Sequence, residues 1–497
     1  MKRIRPTSLT LLAAMLAASL ILTLSACGDS GNTPTVTTGA ADNGSDSAAE
    51  TETTVMQYDY PDADYGGYEF RALNFELNGW DIRWNLDVAE LTGEALDDAM
   101  YERNRKVEDK LNFTLKEVLG DVSTNQTLVR TAVLAGEDAY DITFQRADYI
   151  GALITDGLFY NLLEVPVFDF SNPWWEPSVI EESVFFGNIL YYSCTDFNLD
   201  AIEGTWVIFF NEKIVDNLGL EKPYDLVRNG SWTLDKMTEY IAAAVNLNGD
   251  ESFGLNPNGS CMYGITSYDA TPSCLIYSAG ERFVGMDDEG KPYFALETDR
   301  FYSVAADIAK LCGEKGYYFD FNNADANGGI KYEGVFKMGR AILLGGEIKS
   351  ANVFRDMEDD FGLVPYPKYE ESQEEYISPL GSTCMLYTIP MTNQDLERTA
   401  YISDAFAFET YVNVMPVYYD VTVSQKGLRN ENSIEMLDLV CNTRFFDAGV
   451  AYGWTTSLFN SLRAKLNGGS GDVASTIASA IPTIEANIAK TMALIGS

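Results

Sequence analysis

No histidine occurs anywhere in this chain. That removes Ser-His-Asp and Cys-His nucleophiles, and every metal site that needs an imidazole ligand. Carboxylates, Lys, Tyr and aromatic faces are left to act on a solute, and their spacing is uneven. From Ala147 to Glu212 there are eleven acidic residues and no basic one, and the same stretch holds Trp174-Trp175, Tyr191-Tyr192, Asp196 and Trp206. Aromatic faces beside carboxylates make a wall for a solute that offers apolar faces and hydroxyl groups. Each aromatic taken singly suits a packed core equally well. Immediately upstream stands Arg146-Ala147-Asp148, and near the start of the body Trp80 and Trp84.

The elements that must position these groups follow from hydrophobic periodicity. Alternation predicts a strand over 68–73, and further strands are read over 112–118, 140–144, 206–210 and 361–365; helical spacing predicts helices over 95–111, 127–135, 149–163 with a break at Gly157, 234–244 and 301–312. Strands alternating with helices at this pitch predict βαβ units on a largely parallel sheet, in two blocks. The C-terminal third reads as more helical, over 404–414 and 473–492. Arg146 and Asp148 follow the third strand, and Trp80 and Trp84 the first. Both pairs therefore fall at the carboxyl ends of strands, where open α/β sheets bind ligands.

The N-terminus has its own chemistry. Lys2, Arg3 and Arg5 precede an apolar run over 9–24 that is too short for a stable membrane span, which predicts a cleaved leader over 1–26. The run closes on Leu24-Ser25-Ala26-Cys27, which resembles a bacterial lipobox and makes Cys27 the expected acylated anchor, its two chains giving stable attachment. Residues 28–57 are rich in Gly, Ser, Thr, Ala and Asp and contain no Lys, Arg or aromatic residue, the composition of a disordered tether.

The chain carries 34 Lys plus Arg against 74 Asp plus Glu, a formal net charge of −40 that loss of the leader would take to about −43. Such a balance excludes nucleic acid as a partner and flat docking on anionic lipid, both of which require clustered cations. The body beyond the tether is longer than one core usually organises, so two lobes are expected. Six cysteines remain after Cys27, too scattered for a zinc or iron–sulfur pattern. An exported compartment permits disulfides, Cys261 with Cys274 closing the shortest loop, and buried free thiols are the equal alternative.

Four features together resemble the family 1 extracellular solute-binding proteins, the maltose-binding-protein-like receptors of ABC importers, in particular their Firmicutes lipoprotein members. They are the lipobox with its tether; Thr92-Gly93-Glu94-Ala95 running into Tyr101-Glu102-Arg103-Asn104-Arg105; Phe336-Lys337-Met338-Gly339-Arg340-Ala341; and Phe361-Gly362-Leu363-Val364-Pro365-Tyr366-Pro367-Lys368. The likeness runs in order from Tyr68 to near the C-terminus. It implies an α/β, two-lobed periplasmic-binding-protein-like fold with an interlobe cleft and hinge crossovers, with lobe 1 over 58–200, lobe 2 over 201–330, a return to lobe 1 over 331–370, and lobe 2 with C-terminal helices over 371–497.

By the same resemblance the chain is a non-enzymatic, monomeric receptor on the extracellular face of the membrane. It would need no cofactor, bind a carbohydrate, most readily an oligosaccharide, and pass it to importer membrane subunits. Glu281 follows Ser278-Ala279-Gly280, where relatives approach the cleft, and Trp454 sits in a late loop whose counterpart supplies a stacking aromatic; both join the candidate ligand contacts. Trp232, in a helix-start motif, is assigned to structure. Asn246-Leu247-Asn248-Gly249-Asp250 resembles a degraded calcium loop whose default reading is a polar turn. Two other classes stay open: a surface-anchored glycoside hydrolase working with paired carboxylates, and an adhesin without a small ligand.

Overall fold

The computed structural model describes residues 56–76, 86–121, 124–245, 247–250, 259–320, 330–423 and 431–496. The leader, Cys27, Trp80, Trp84 and Asn246 lie outside them. The chain divides into two compact units, Met1–Asp59 and Tyr60–Ser497, and all that follows concerns the second.

Its strands are β1 (Tyr68–Glu76), β2 (Phe113–Asp121), β3 (Ile142–Arg146), β4 (Trp206–Asn211), β5 (Tyr263–Ser267), β6 (Val284–Met286), β7 (Pro292–Phe294), β8 (Tyr318–Asp320), β9 (Ala341–Glu347), β10 (Phe361–Val364), β11 (Ser378–Pro379), β12 (Met385–Thr388) and β13 (Arg444–Phe445). Two mixed sheets result. The first has the order β12-β3-β1-β2, with β1 parallel to both β2 and β3 and β12 antiparallel to β3. The second has the order β10-β4-β9-β5-β8, parallel at β9-β5-β8 and antiparallel around β4. Every residue of β4 and β9 is buried, which explains why both read as unbroken apolar runs.

The helix Ala95–Leu111 spans the residues its spacing predicts. Asp97 and Asp98 sit in its first turn, where the helix dipole favours negative charge, and Asn112 ends it in a left-handed conformation. Its inner face carries Arg103, 2% exposed, whose guanidinium donates to the carbonyls of Leu86 and Phe197 and to Thr410 Oγ1. The guanidinium also lies over the Phe406 ring, itself stacked 4.5 Å from Phe197. This buried cation is satisfied by neutral oxygens and ring faces, and desolvation lowers its pKa to about 9.

Two expectations are corrected. Residues 335–344 and 361–365 do not return to the first sheet: β9 and β10 flank β4 in the second. The strand that does return is β12, from the segment assigned to the other lobe. Which sheet an apolar strand joins is set by long-range pairing, and the local pattern does not encode it. The helix expected over 149–163 is shorter, Gly151–Thr155. Its second half is replaced by a bridge between Phe159 and Pro390 and a 3-10 turn at Leu162–Glu164.

The stretch leading into β4 and the stretch from β10 to β12 cross between the sheets, and β13 is laced to the second of them. Gly381 N–H donates to the Gly204 carbonyl at 3.0 Å, Leu380 N–H to Phe445 at 2.9 Å, and Ser378 N–H to Thr443 at 2.8 Å. Among the described residues no helix is long and apolar enough to cross a membrane.

Candidate functional site

A cavity of about 950 Å³ opens where the two sheets face each other. Its wall is assembled from strand ends. Arg146 and Asp148 come from the end of β3, Tyr268 from just past β5, and Glu347 and Lys349 from the end of β9. Trp206, the first residue of β4, pairs with Glu347 across the ladder and so reaches the same rim. Pro379 to Thr383 of the crossing segment, Phe445 to Asp447, and the helix Thr456–Asn467 close the remaining sides. This is the carboxyl-end geometry expected of α/β ligand sites.

The polar groups are held before any ligand arrives. Arg146 grips Asp148 through two bonds, Nε to Oδ1 at 3.0 Å and Nη2 to Oδ2 at 2.6 Å, and its guanidinium covers the Tyr149 ring at 4.8 Å. Burial raises the Asp148 pKa and the adjacent Arg146 opposes it. The carboxylate of Asp447 accepts the backbone N–H groups of Phe283 (2.9 Å) and Gly449 (2.8 Å); burial still pushes it up to about 6. Glu347 is bridged by Lys349, and Arg463 stands 3.4 Å from Asp269. Four basic residues (Arg146, Lys331, Lys349, Arg463) balance four acidic ones (Asp148, Glu333, Glu347, Asp447) on this wall. In a chain of net charge −40, the site is therefore close to neutral.

The apolar part of the wall is aromatic. Tyr268 and Tyr332 meet edge to face at 6.5 Å, and Tyr277 tilts against Phe445 at 5.3 Å. Ring faces beside fixed donors and acceptors suit a solute that is apolar on its flat sides and hydroxylated at its edge. Among the described residues no group of His, Cys, Asp and Glu is placed to hold a metal ion.

Of the residues singled out from sequence, Arg146, Asp148 and Trp206 share this cavity. Five others lie outside its lining. Trp174 is buried with its indole N–H on Asp404 Oδ1 at 2.7 Å, and Trp175 packs among Phe168, Phe170 and Tyr387. Asp196 is half-buried near Arg444 and Glu176, and desolvation raises its pKa to about 8. Glu281 binds Arg300 at 2.7 Å, and Trp454 donates to Thr491 at 2.9 Å while stacking on Tyr452. All five fill the body because the apolar interior takes large aromatics and internally paired polar groups as readily as a cleft does. Trp232, assigned to structure, is fully buried and donates to the Pro365 carbonyl at 3.0 Å. The six described cysteines are free thiols.

Sequence reasoning missed Tyr268, Tyr332, Glu347, Lys349 and Phe445. The strand-end rule that selected Arg146 and Asp148 would have selected Tyr268 after β5 and Lys349 after β9. Phe445 comes from the far C-terminal region and has no local signal.

No family model and no curated sequence matches this chain. Solved structures do match in shape. The galacto-N-biose/lacto-N-biose I-binding protein of an ABC transporter from Bifidobacterium longum, in complex with lacto-N-biose, is similar at 13% identity and TM-score 0.57, over 87% of this chain and 98% of that one. An ABC substrate-binding protein from Listeria monocytogenes in complex with cycloalternan is similar at 13% identity and TM-score 0.54, over 86% and 99%. A maltose/maltodextrin-binding domain from Bdellovibrio bacteriovorus bound to maltotriose is similar at 15% identity and TM-score 0.51, over 85% and 99%. At these identities the likeness is one of fold: the chain has the two-lobed, periplasmic-binding-protein-like α/β fold, with its cavity between the sheets and its crossings at the hinge.

Proposed function

We propose that this chain is the extracellular solute-binding receptor of an ABC importer, anchored to the membrane through acylated Cys27 and capturing a neutral oligosaccharide in the cavity between its sheets. The observation that carries the reading is the cavity wall itself, where aromatic faces stand beside prepaired polar groups of balanced charge. Binding there requires no chemistry on the solute, and the laced crossings supply a hinge about which the lobes close. The structural neighbours named above are sugar complexes, which supports the choice of ligand class. Trp80 and Trp84, which follow β1 in sequence, are proposed as further ligand contacts.

A thermal-shift screen over neutral glycans, charged glycans, amino acids and short peptides tests this, because only a ligand of the native state raises the midpoint. The expected result is a rise with one or more neutral glycans, each recovered chemically unchanged. A response confined to amino acids or peptides overturns the ligand class, and cleavage of the glycan overturns the receptor role. Replacing Cys27 by Ser is expected to release the protein into the medium; continued membrane retention refutes the anchor.

A further inference from the structure

Among the described residues, Trp206 and Glu347 in the cavity wall carry hydrogen-bonding atoms with no protein partner. Trp206 and Glu347 are each 7% exposed, and both line the cavity. Among the described residues the Trp206 indole N–H has no acceptor. It is not sealed away as the Trp175 nitrogen is, so it opens on the cavity. Lys349 engages Glu347 through Oε2, and among the described residues no hydrogen bond reaches Oε1. The two atoms converge. A methyl group on Gly381 would stand 3.0 Å from Glu347 Oε1 and 3.4 Å from Trp206 Nε1, with the Gly204 carbonyl 3.2 Å behind. With glycine at 381 no side chain stands between these two atoms, and the bond from Gly381 N–H to Gly204 holds the backbone beside them.

We infer that Trp206, Glu347 and Gly381 form a subsite for a single hydroxyl group of a neutral polyhydroxylated ligand, the indole donating to the hydroxyl oxygen and Glu347 Oε1 accepting its proton. The chemistry selects the class. A hydroxyl both accepts and donates at one atom. A ligand carboxylate or phosphate has no proton to give Glu347 and is repelled by it, and an ammonium has no lone pair for the indole. A site built around such a pair discriminates strongly against a ligand that leaves either member unmatched. The inference rests on the receptor reading above and deepens it by stating which group on the solute is read.

The test is calorimetric titration of the whole body with maltotriose, lacto-N-biose and raffinose in turn, comparing wild type with Trp206→Phe, Glu347→Gln and Gly381→Ala. Trp206→Phe removes the unpaired donor and keeps a ring, and is expected to weaken the best binder roughly two- to tenfold, the size of one hydrogen bond. Gly381→Ala, which sets a methyl against both polar atoms, is expected to weaken it more than tenfold. Should either variant fail to fold, as judged by its thermal midpoint, Glu347→Gln preserves shape and carries the comparison with an expected loss of at least threefold. Unchanged affinity in the folded variants, with wild type binding, overturns the subsite and leaves the receptor reading standing. No binding of any of the three glycans by wild type overturns both.

Discussion

Two aromatic regions of this molecule resemble each other in sequence and differ in what surrounds them. The group around Trp174 and Trp175 is closed: Trp174 gives its N–H to Asp404, and Phe168, Phe170 and Tyr387 pack around Trp175 with centroids 4.8 to 5.8 Å away. The group around Trp206, Tyr268 and Tyr332 is open, and sits where β3, β5 and β9 end. Density of aromatics does not distinguish core from cleft. Position on the rim where β3, β5 and β9 end does.

The contrast breaks most easily at the closed region. Trp175→Ala is expected to destabilise the body by about 3–5 kcal/mol, the usual cost of emptying a large buried aromatic, and denaturant unfolding measures it; a loss below about 1 kcal/mol would mean the site is not packed as described. Asp404→Ala strands the Trp174 N–H in the interior and is expected to cost about 1–3 kcal/mol by the same measurement. At the open region, Trp206→Phe removes no internal hydrogen bond. Its unfolding free energy is expected to fall by less than about 1.5 kcal/mol, and a larger drop would place Trp206 with the core.

A pH series sharpens the same contrast, since closed regions also trap carboxylates. Desolvation raises Asp196 and Glu203 to about 8, Glu182 to about 7 and Asp200 to about 6. Each therefore binds its proton more tightly folded than unfolded. By linkage, the contribution is fully present below the ordinary carboxylate range at about pH 4 and is lost as pH rises from there through the folded values of about 6 to 8. The midpoint is expected to be higher at pH 5 than at pH 8.5, and a flat or opposite profile would show these carboxylates to be solvated.

How much of this was legible beforehand depended on range. The helix over 95–111 and the strand from Tyr68 follow from periodicity, which is a local property. Arg146 and Asp148 were reachable because strand ends are themselves local features, whereas Trp206 was selected by the same composition that selected Trp174 and Trp175. The partners of β9 and β10 were not, because two apolar runs of similar length fit either sheet until distant strands choose between them. Phe445 and Phe459 enter the cavity from a segment more than 290 positions beyond Arg146, and nothing in their neighbourhood announces it. Trp174 and Trp175 were selected by composition alone, and composition is the property that core and cleft share.

The central claim is that the space between the two sheets holds a neutral, hydroxyl-bearing solute. A crystal structure of the body grown with the glycan that gives the largest thermal shift tests it most directly. The account predicts a sugar ring against the Tyr268 and Tyr332 side of the cavity, with one hydroxyl within hydrogen-bond distance of both Trp206 Nε1 and Glu347 Oε1. Sugar bound elsewhere on the molecule, with this cavity holding only solvent, would contradict it.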